Sequence, residues 1–133
     1  MAVGKAIAGM ATVLVADDDA AVLALASMIL QRDGFQVLRA SNGLEALMLY
    51  SSYASRIDLV LTDFEMPQMN GAELVARIRE RNPTAKVLVM SGYAPSGAAG
   101  PVKGCPVLRK PFRPAELRDA VRGILAGPVK PAC

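Results

Sequence analysis

The chain alternates between short apolar runs with no helical period and longer stretches in which apolar residues recur every three or four positions. Thr12–Ala16, Gln36–Ala40, Leu59–Thr62, Lys86–Met90 and Val107–Arg109 are of the first kind and predict buried strands. Ala20–Arg32, Leu44–Tyr53, Ala72–Arg81 and Pro114–Leu125 are of the second kind and predict helices. Gly34, Asn42-Gly43, Asn70-Gly71 and Asn82-Pro83 punctuate these elements as stops or starts. Strands interleaved with helices predict an α/β fold, a parallel sheet covered on both faces and joined by right-handed crossovers. Ligand sites of such sheets lie beyond the carboxyl ends of the strands, so the polar residues that close each strand are the ones to collect.

Those residues are Asp17, Asp18 and Asp19 after the first strand, Asp63 after the third, Ser91 after the fourth and Lys110 after the fifth. Carboxylates held so close repel, and burying them is costly unless a cation is shared; a hard, oxygen-preferring ion such as Mg²⁺ fits. Asp19 is explained as a helix-start residue, but three acids in succession exceed what a cap requires. A carboxylate, a hydroxyl, an ammonium and a metal-binding acid pair are the parts of phosphoryl transfer to or from an aspartate.

Composition narrows the field. The 133 residues suit one domain, and 53% hydrophobic residues are enough for a core rather than a disordered chain. Two cysteines, Cys105 and Cys133, cannot make a disulfide framework, so a reducing cytoplasmic compartment is expected. The net charge is +3, yet Arg77, Arg79, Arg81, Arg109, Arg113, Arg118 and Arg122 are dispersed without interleaved aromatics, which argues against nucleic acid. No apolar stretch is long enough to span a bilayer, and residues 1–10 read as a tail leading into the first strand rather than a signal peptide. The chain contains no histidine, so it cannot itself be a phosphohistidine donor or use imidazole in catalysis.

Five motifs in order resemble the receiver domain of two-component response regulators, from about Ala11 to Ala126. They are Val13-Leu14-Val15-Ala16-Asp17-Asp18, Asn42-Gly43-Leu44-Glu45-Ala46-Leu47, Asp58 to Asp63 with Met66-Pro67 and Gly71, Val87 to Tyr93, and Lys110-Pro111-Phe112. The resemblance implies a flavodoxin-like, doubly wound five-stranded parallel sheet in the order 2-1-3-4-5. It implies phosphorelay signalling with a histidine kinase or histidine phosphotransfer protein as partner, and a self-phosphorylating, self-dephosphorylating switch rather than a conventional enzyme. Asp63 is then the phosphoacceptor. The resemblance places Mg²⁺ on Asp18 directly, on Asp17 largely through water, and on Asp63 and the backbone carbonyl of Glu65. Ser91 bonds a phosphoryl oxygen, Lys110 pairs with Asp63 and then with the phosphoryl group, and the Lys110-Pro111 bond is cis. The receiver is expected over residues 11–126, with tails at 1–10 and 127–133.

The chain departs from the family pattern in three places. Val107 stands where receivers that drive an output usually carry a switch aromatic responding to the hydroxyl of Ser91; Tyr93 is the substitute within reach. Residues 94–106, where a fourth helix belongs, hold three prolines and, after Ser96, three glycines, so a mobile loop with a short helix or none is expected. On the first helix, Val22, Leu25, Ala26, Ile29 and Leu30 form the stripe expected to face the sheet, yet Ala20, Leu23, Ala24, Ser27 and Met28 on the complementary face carry no charge. That uncharged face is expected to dock the phosphodonor. Two other functions fit parts of the pattern: a haloacid-dehalogenase-like phosphatase with Asp17 as nucleophile, and a phosphorylation-independent interaction module.

Overall fold

A computed structural model describes residues 11–92, 102 and 104–127. Five strands, β1 (Thr12–Ala16), β2 (Gln36–Ala40), β3 (Leu59–Asp63), β4 (Val87–Ser91) and β5 (Val107–Arg109), form one parallel sheet in the order β2-β1-β3-β4-β5. Four helices accompany them: α1 (Ala20–Arg32), α2 (Gly43–Tyr53), α3 (Gly71–Arg81) and α4 (Pro114–Ala126). The expected flavodoxin-like topology is the one observed.

The period-two alternation of the strands divides the core. Val13, Val15, Leu59, Leu61, Leu88 and Met90 pack on one side of the sheet with Ala26, Ile29 and Leu30 of α1 and Leu117 and Val121 of α4. Leu14, Ala16, Val60, Val87 and Val89 pack on the other with Ala46 and Tyr50 of α2 and Leu74, Val75 and Ile78 of α3. β1, β3 and β4 are buried at every position, which is why their sequences are continuous apolar runs. The connection from β1 leaves toward β2 and the chain returns to β3 on its opposite side, so the carboxyl ends of β1 and β3 flank the crevice where this topology binds ligands.

β3 and β4 each run one residue further than expected, so Asp63 and Ser91 are the last residues of their strands, still paired with Met90 and Arg109. The face of α1 needs a larger correction. Leu25, expected against the sheet, is 43% exposed, and Ser27, expected in solvent, is fully buried; Leu23, also expected outward, packs on the α1 side of the core. The core stripe is therefore Leu23, Ala26, Ser27 and Leu30, and the outer one is Ala21, Ala24, Leu25 and Met28, with Ala20 also exposed. An Ala-rich helix apolar on all sides does not fix its own rotation. Ser27 tolerates burial because its hydroxyl donates to the Leu23 carbonyl at 2.7 Å.

Between β4 and β5 no helix lies among the described residues. Val102 and Cys105 are buried in the core there. Tyr93, residues 94–101 and Lys103, and with them most of the expected loop, lie outside the described residues, as do the tails at 1–10 and 128–133.

Candidate functional site

The carboxyl ends of four strands bring together the residues collected from the sequence. Asp17 follows β1 and is fully buried; its backbone N–H donates to the Ala40 carbonyl at 3.1 Å, which holds the end of β1 against β2. Asp18 beside it is exposed. Asp63 closes β3 and is 6% exposed. Carboxylate oxygens of Asp17, Asp18 and Asp63 lie within 4.8 Å of one another. Asp19 takes no part in the cluster: its Oδ1 accepts from the N–H groups of Ala21 and Val22 at 2.9 and 3.3 Å, capping α1 as expected.

Lys110 reaches into the cluster from the end of β5, after which the Lys110-Pro111 peptide is cis as expected. Its Nζ stands 2.8 Å from Asp17 Oδ2 and 3.0 Å from Asp63 Oδ1, so it bridges the acid wall of β1 to the end of β3. The bond to Asp17 is the partner that sequence reasoning missed. Nothing in the chain pattern couples two residues so far apart, whereas the pairing with Asp63 came with the motif. Backbone placement is tight here too, since the Lys110 N–H donates to the Ser91 carbonyl at 2.8 Å.

The charges of the cluster do not balance. Burial raises the Asp63 carboxyl above the ordinary carboxylate range, the charges of Asp17 and Asp18 raise it further, and the Lys110 hydrogen bond and charge only partly offset them. Burial works against the Lys110 ammonium, but its hydrogen bonds to Asp17 and Asp63 and their charges outweigh this and hold it above the ordinary lysine value. Three carboxylates facing one ammonium leave negative charge uncompensated, and every donor is a hard oxygen. That donor set fits a small divalent cation such as Mg²⁺. Asp17 is poorly disposed as a nucleophile: both of its oxygens are engaged, Oδ1 by the Asp19 N–H at 2.8 Å and Oδ2 by Lys110.

Residues 13–122 match the family model described as the response regulator receiver domain. The chain belongs to that family. It is 33% identical over 125 residues to the sensor kinase CckA of Brucella abortus, covering 90% of this chain but 13% of that kinase. It is 32% identical over 116 residues to the sporulation initiation phosphotransferase F of Bacillus subtilis, covering 85% of this chain and 92% of that protein. Among solved structures, the receiver domain of the hybrid histidine kinase CckA superposes with a TM-score of 0.74 at 32% identity, over 86% of this chain and 98% of the other. A CheX-CheY-BeF3-Mg complex from Borrelia burgdorferi gives a TM-score of 0.80 at 26% identity, over 86% and 88% of the two chains. This receiver domain therefore has a phosphoacceptor role in two-component or phosphorelay signalling, and its family binds Mg²⁺ at an acidic pocket and takes phosphoryl groups from histidine kinases or phosphotransfer proteins.

The remaining residues singled out in the sequence surround the cluster. Ser91 is buried at the end of β4 and Val107 is half-buried on β5. Glu65 is exposed and, with Asp18, Phe64, Met66, Pro67 and Asn70, lines an open recess of about 390 Å³ beside Asp63. A second recess of about 350 Å³ is lined by Val22 and Leu25 of α1 and by Lys110, Pro111 and Phe112. No helix among the described residues is long and apolar enough to cross a membrane.

Proposed function

We propose that this receiver domain accepts a phosphoryl group on Asp63 from a phosphohistidine of a histidine kinase or histidine phosphotransfer protein, with Mg²⁺ as cofactor. One observation carries the reading: of the two cluster carboxylates that Lys110 bridges, Asp17 has both oxygens engaged, by the Asp19 N–H and by Lys110, whereas Asp63, the last residue of β3, meets Lys110 through Oδ1 alone. An Asp63 oxygen forms the new O–P bond as the donor's N–P bond breaks, and the departing imidazole nitrogen takes a proton from water. Asp17, Asp18, Asp63 and the backbone carbonyl of Glu65 are the residues that hold the metal. When bound, the ion supplies the positive charge that the three carboxylates lack and that the transferred group requires. Lys110 holds the Asp63 carboxylate before transfer and pairs with the phosphoryl group after it. Ser91 offers its hydroxyl to a phosphoryl oxygen, and with Val107 in place of an aromatic and Tyr93 beyond, the signal leaves the site by a route other than the usual paired switch.

The donor's helices dock on the outer stripe of α1. Ala20, Ala24 and Met28 keep their place on that surface, Ala21 and Leu25 join it, and Leu25 continues it into the recess walled by Lys110, Pro111 and Phe112. An exposed apolar stripe that ends beside the acceptor suits a partner which must bring its histidine to Asp63.

Incubation with acetyl phosphate and Mg²⁺ tests the acceptor. The expected product is a hydroxylamine-sensitive acyl phosphate that is lost in Asp63→Asn. Labelling that persists in Asp63→Asn and disappears in Asp17→Asn makes Asp17 the nucleophile, and no labelling of the parent chain leaves an interaction module.

A further inference from the structure

Residues 64–70, which join β3 to α3, are gripped at both ends by contacts that only a residue without a side chain permits. At the near end the Gly71 N–H donates to the Phe64 carbonyl at 2.7 Å, and a β-carbon on Gly71 would stand 2.6 Å from the Asp63 carbonyl oxygen and 2.9 Å from the Phe64 α-carbon. At the far end a β-carbon on Gly43, the first residue of α2, would stand 2.7 Å from the Met69 carbonyl oxygen and 2.9 Å from its β-carbon. The atoms struck are chiefly backbone, which cannot rotate aside as a side chain does. Between the two ends there is little slack. Gln68 already holds a left-handed φ of 70°, the Met69 N–H donates to the Pro67 carbonyl at 2.7 Å, and Met66 and Met69 are buried.

We propose that Gly71 and Gly43 are positioning residues for phosphoryl acceptance, Gly71 setting where Asp63 stands and Gly43 setting where the Glu65 carbonyl stands. The inference rests on the reading of Asp63 as acceptor and of the Glu65 carbonyl as a metal ligand. The two glycines act on different parts of the site because they press on different atoms. Asp63 is paired with Met90, and the Phe64 N–H donates to the Met90 carbonyl at 2.8 Å, so the end of β3 is wedged between β4 and the first turn of α3. A methyl group on Gly71 pushes directly on the main chain of Asp63, whose carboxylate is held 3.0 Å from Lys110. A methyl group on Gly43 pushes on Met69, and a loop with so little slack passes the push to the Glu65 carbonyl, while the pairing of Asp63 with Met90 and the Phe64 N–H bond to the Met90 carbonyl hold the end of β3.

The test uses the full chain and three measurements: Mg²⁺ affinity by calorimetry, the phosphorylation rate from acetyl phosphate at saturating Mg²⁺, and Tm. Gly71→Ala is expected to lower the saturated rate about 10-fold or more, the scale on which a displaced reacting group loses rate. Gly43→Ala is expected to weaken Mg²⁺ about 10-fold, as loss of a ligand's support does, and to leave the saturated rate within about twofold. A β-carbon on Gly123 in α4 would meet nothing within 4 Å, so Gly123→Ala is a stabilising change remote from the site. Added to Gly71→Ala, it separates folding from positioning. A rate that stays low once Tm is restored supports the inference, and a rate that recovers with Tm overturns it, as does a parental rate in Gly71→Ala alone. Should Gly71→Ala not fold, Gly43→Ala decides, and an unchanged Mg²⁺ affinity overturns the proposal. Failure of the parent chain to be labelled on Asp63 appears before any glycine is changed and removes the reading beneath.

Discussion

α1 and α3 begin alike and end up facing the world differently. Each follows a strand that supplies the acid cluster, and each is capped by a side chain: Asp19 accepts from Ala21 and Val22, and Asn70 accepts from the Glu73 N–H at 2.9 Å. α3 buries Leu74, Val75 and Ile78 and turns Glu73, Arg77, Glu80 and Arg81 to solvent, with Glu73 and Arg77 paired at 3.7 Å. α1 is apolar on both sides. Charge on one side of α3 tells which side is wet, so its rotation is readable from spacing alone. For α1 the same spacing admits two rotations, and packing selects the one that buries Ser27 and exposes Leu25 and Met28. An outer face with no charge is what the proposed docking of the phosphodonor would use, whereas that of α3 is explained by water.

The largest effect that can break this comparison is a charge placed on neighbouring residues of α1. Ser27→Glu buries a carboxylate in the core and is expected to cost about 3 kcal/mol or more, enough to threaten folding. Met28→Glu, one position on, is expected to change stability by less than about 0.5 kcal/mol, like a charge change on the outer face of α3. Denaturant unfolding measures both. Met28→Glu should nevertheless slow transfer from a phosphohistidine donor while leaving labelling by acetyl phosphate unchanged; Arg77→Glu on α3 should alter neither transfer nor labelling. Equal costs at 27 and 28 would mean that α1 has the rotation its sequence first suggested.

A smaller effect concerns the cluster between the two helices. The folded, metal-free protein holds the Asp63 proton more tightly than an unfolded chain does. The stability this contributes is full below about pH 4, the ordinary carboxylate range, and is lost as pH rises through the raised folded value; above it, ionised Asp63 is a net cost. Asparagine cannot ionise. Asp63→Asn is therefore expected to be more stable than the parent at neutral pH by a few degrees in Tm, to lose that advantage as pH falls, and to lose it at neutral pH once Mg²⁺ is added. A variant less stable than the parent in metal-free buffer at neutral pH would show that Lys110 outweighs burial.

What the chain pattern disclosed follows the same divide between local and tertiary causes. The strands, the capping role of Asp19 and the convergence of Asp17, Asp18, Asp63, Ser91 and Lys110 were legible because strand ends in a parallel sheet share one edge, a rule that needs no distances. The rotation of α1 was not, because no polar residue marked its wet side. Lys110 on Asp17 was not, because both carboxylates lie within reach of one ammonium and only geometry apportions it. Gly43 and Gly71 were visible as punctuation before helices, but the pressure each would put on Met69 or Asp63 comes from how close two backbones pass.

The smallest expected effect sharpens the comparison at the two caps. Asp19→Asn gives α1 the same cap residue as α3, and asparagine caps as well as aspartate, so stability should change by no more than about 0.5 kcal/mol. The substitution also removes a negative charge beside Asp17 and Asp18 while sparing the backbone N–H that Asp19 donates to Asp17 Oδ1. If Asp19 serves only the helix, the phosphorylation rate at saturating Mg²⁺ and the Mg²⁺ affinity remain those of the parent. Asp18→Asn, by contrast, takes an oxygen from the cluster itself and should weaken Mg²⁺ strongly at similar cost to the fold. Mg²⁺ binding that weakens equally in both variants would make the acidic triplet one diffuse negative surface rather than a metal-binding pair followed by a cap.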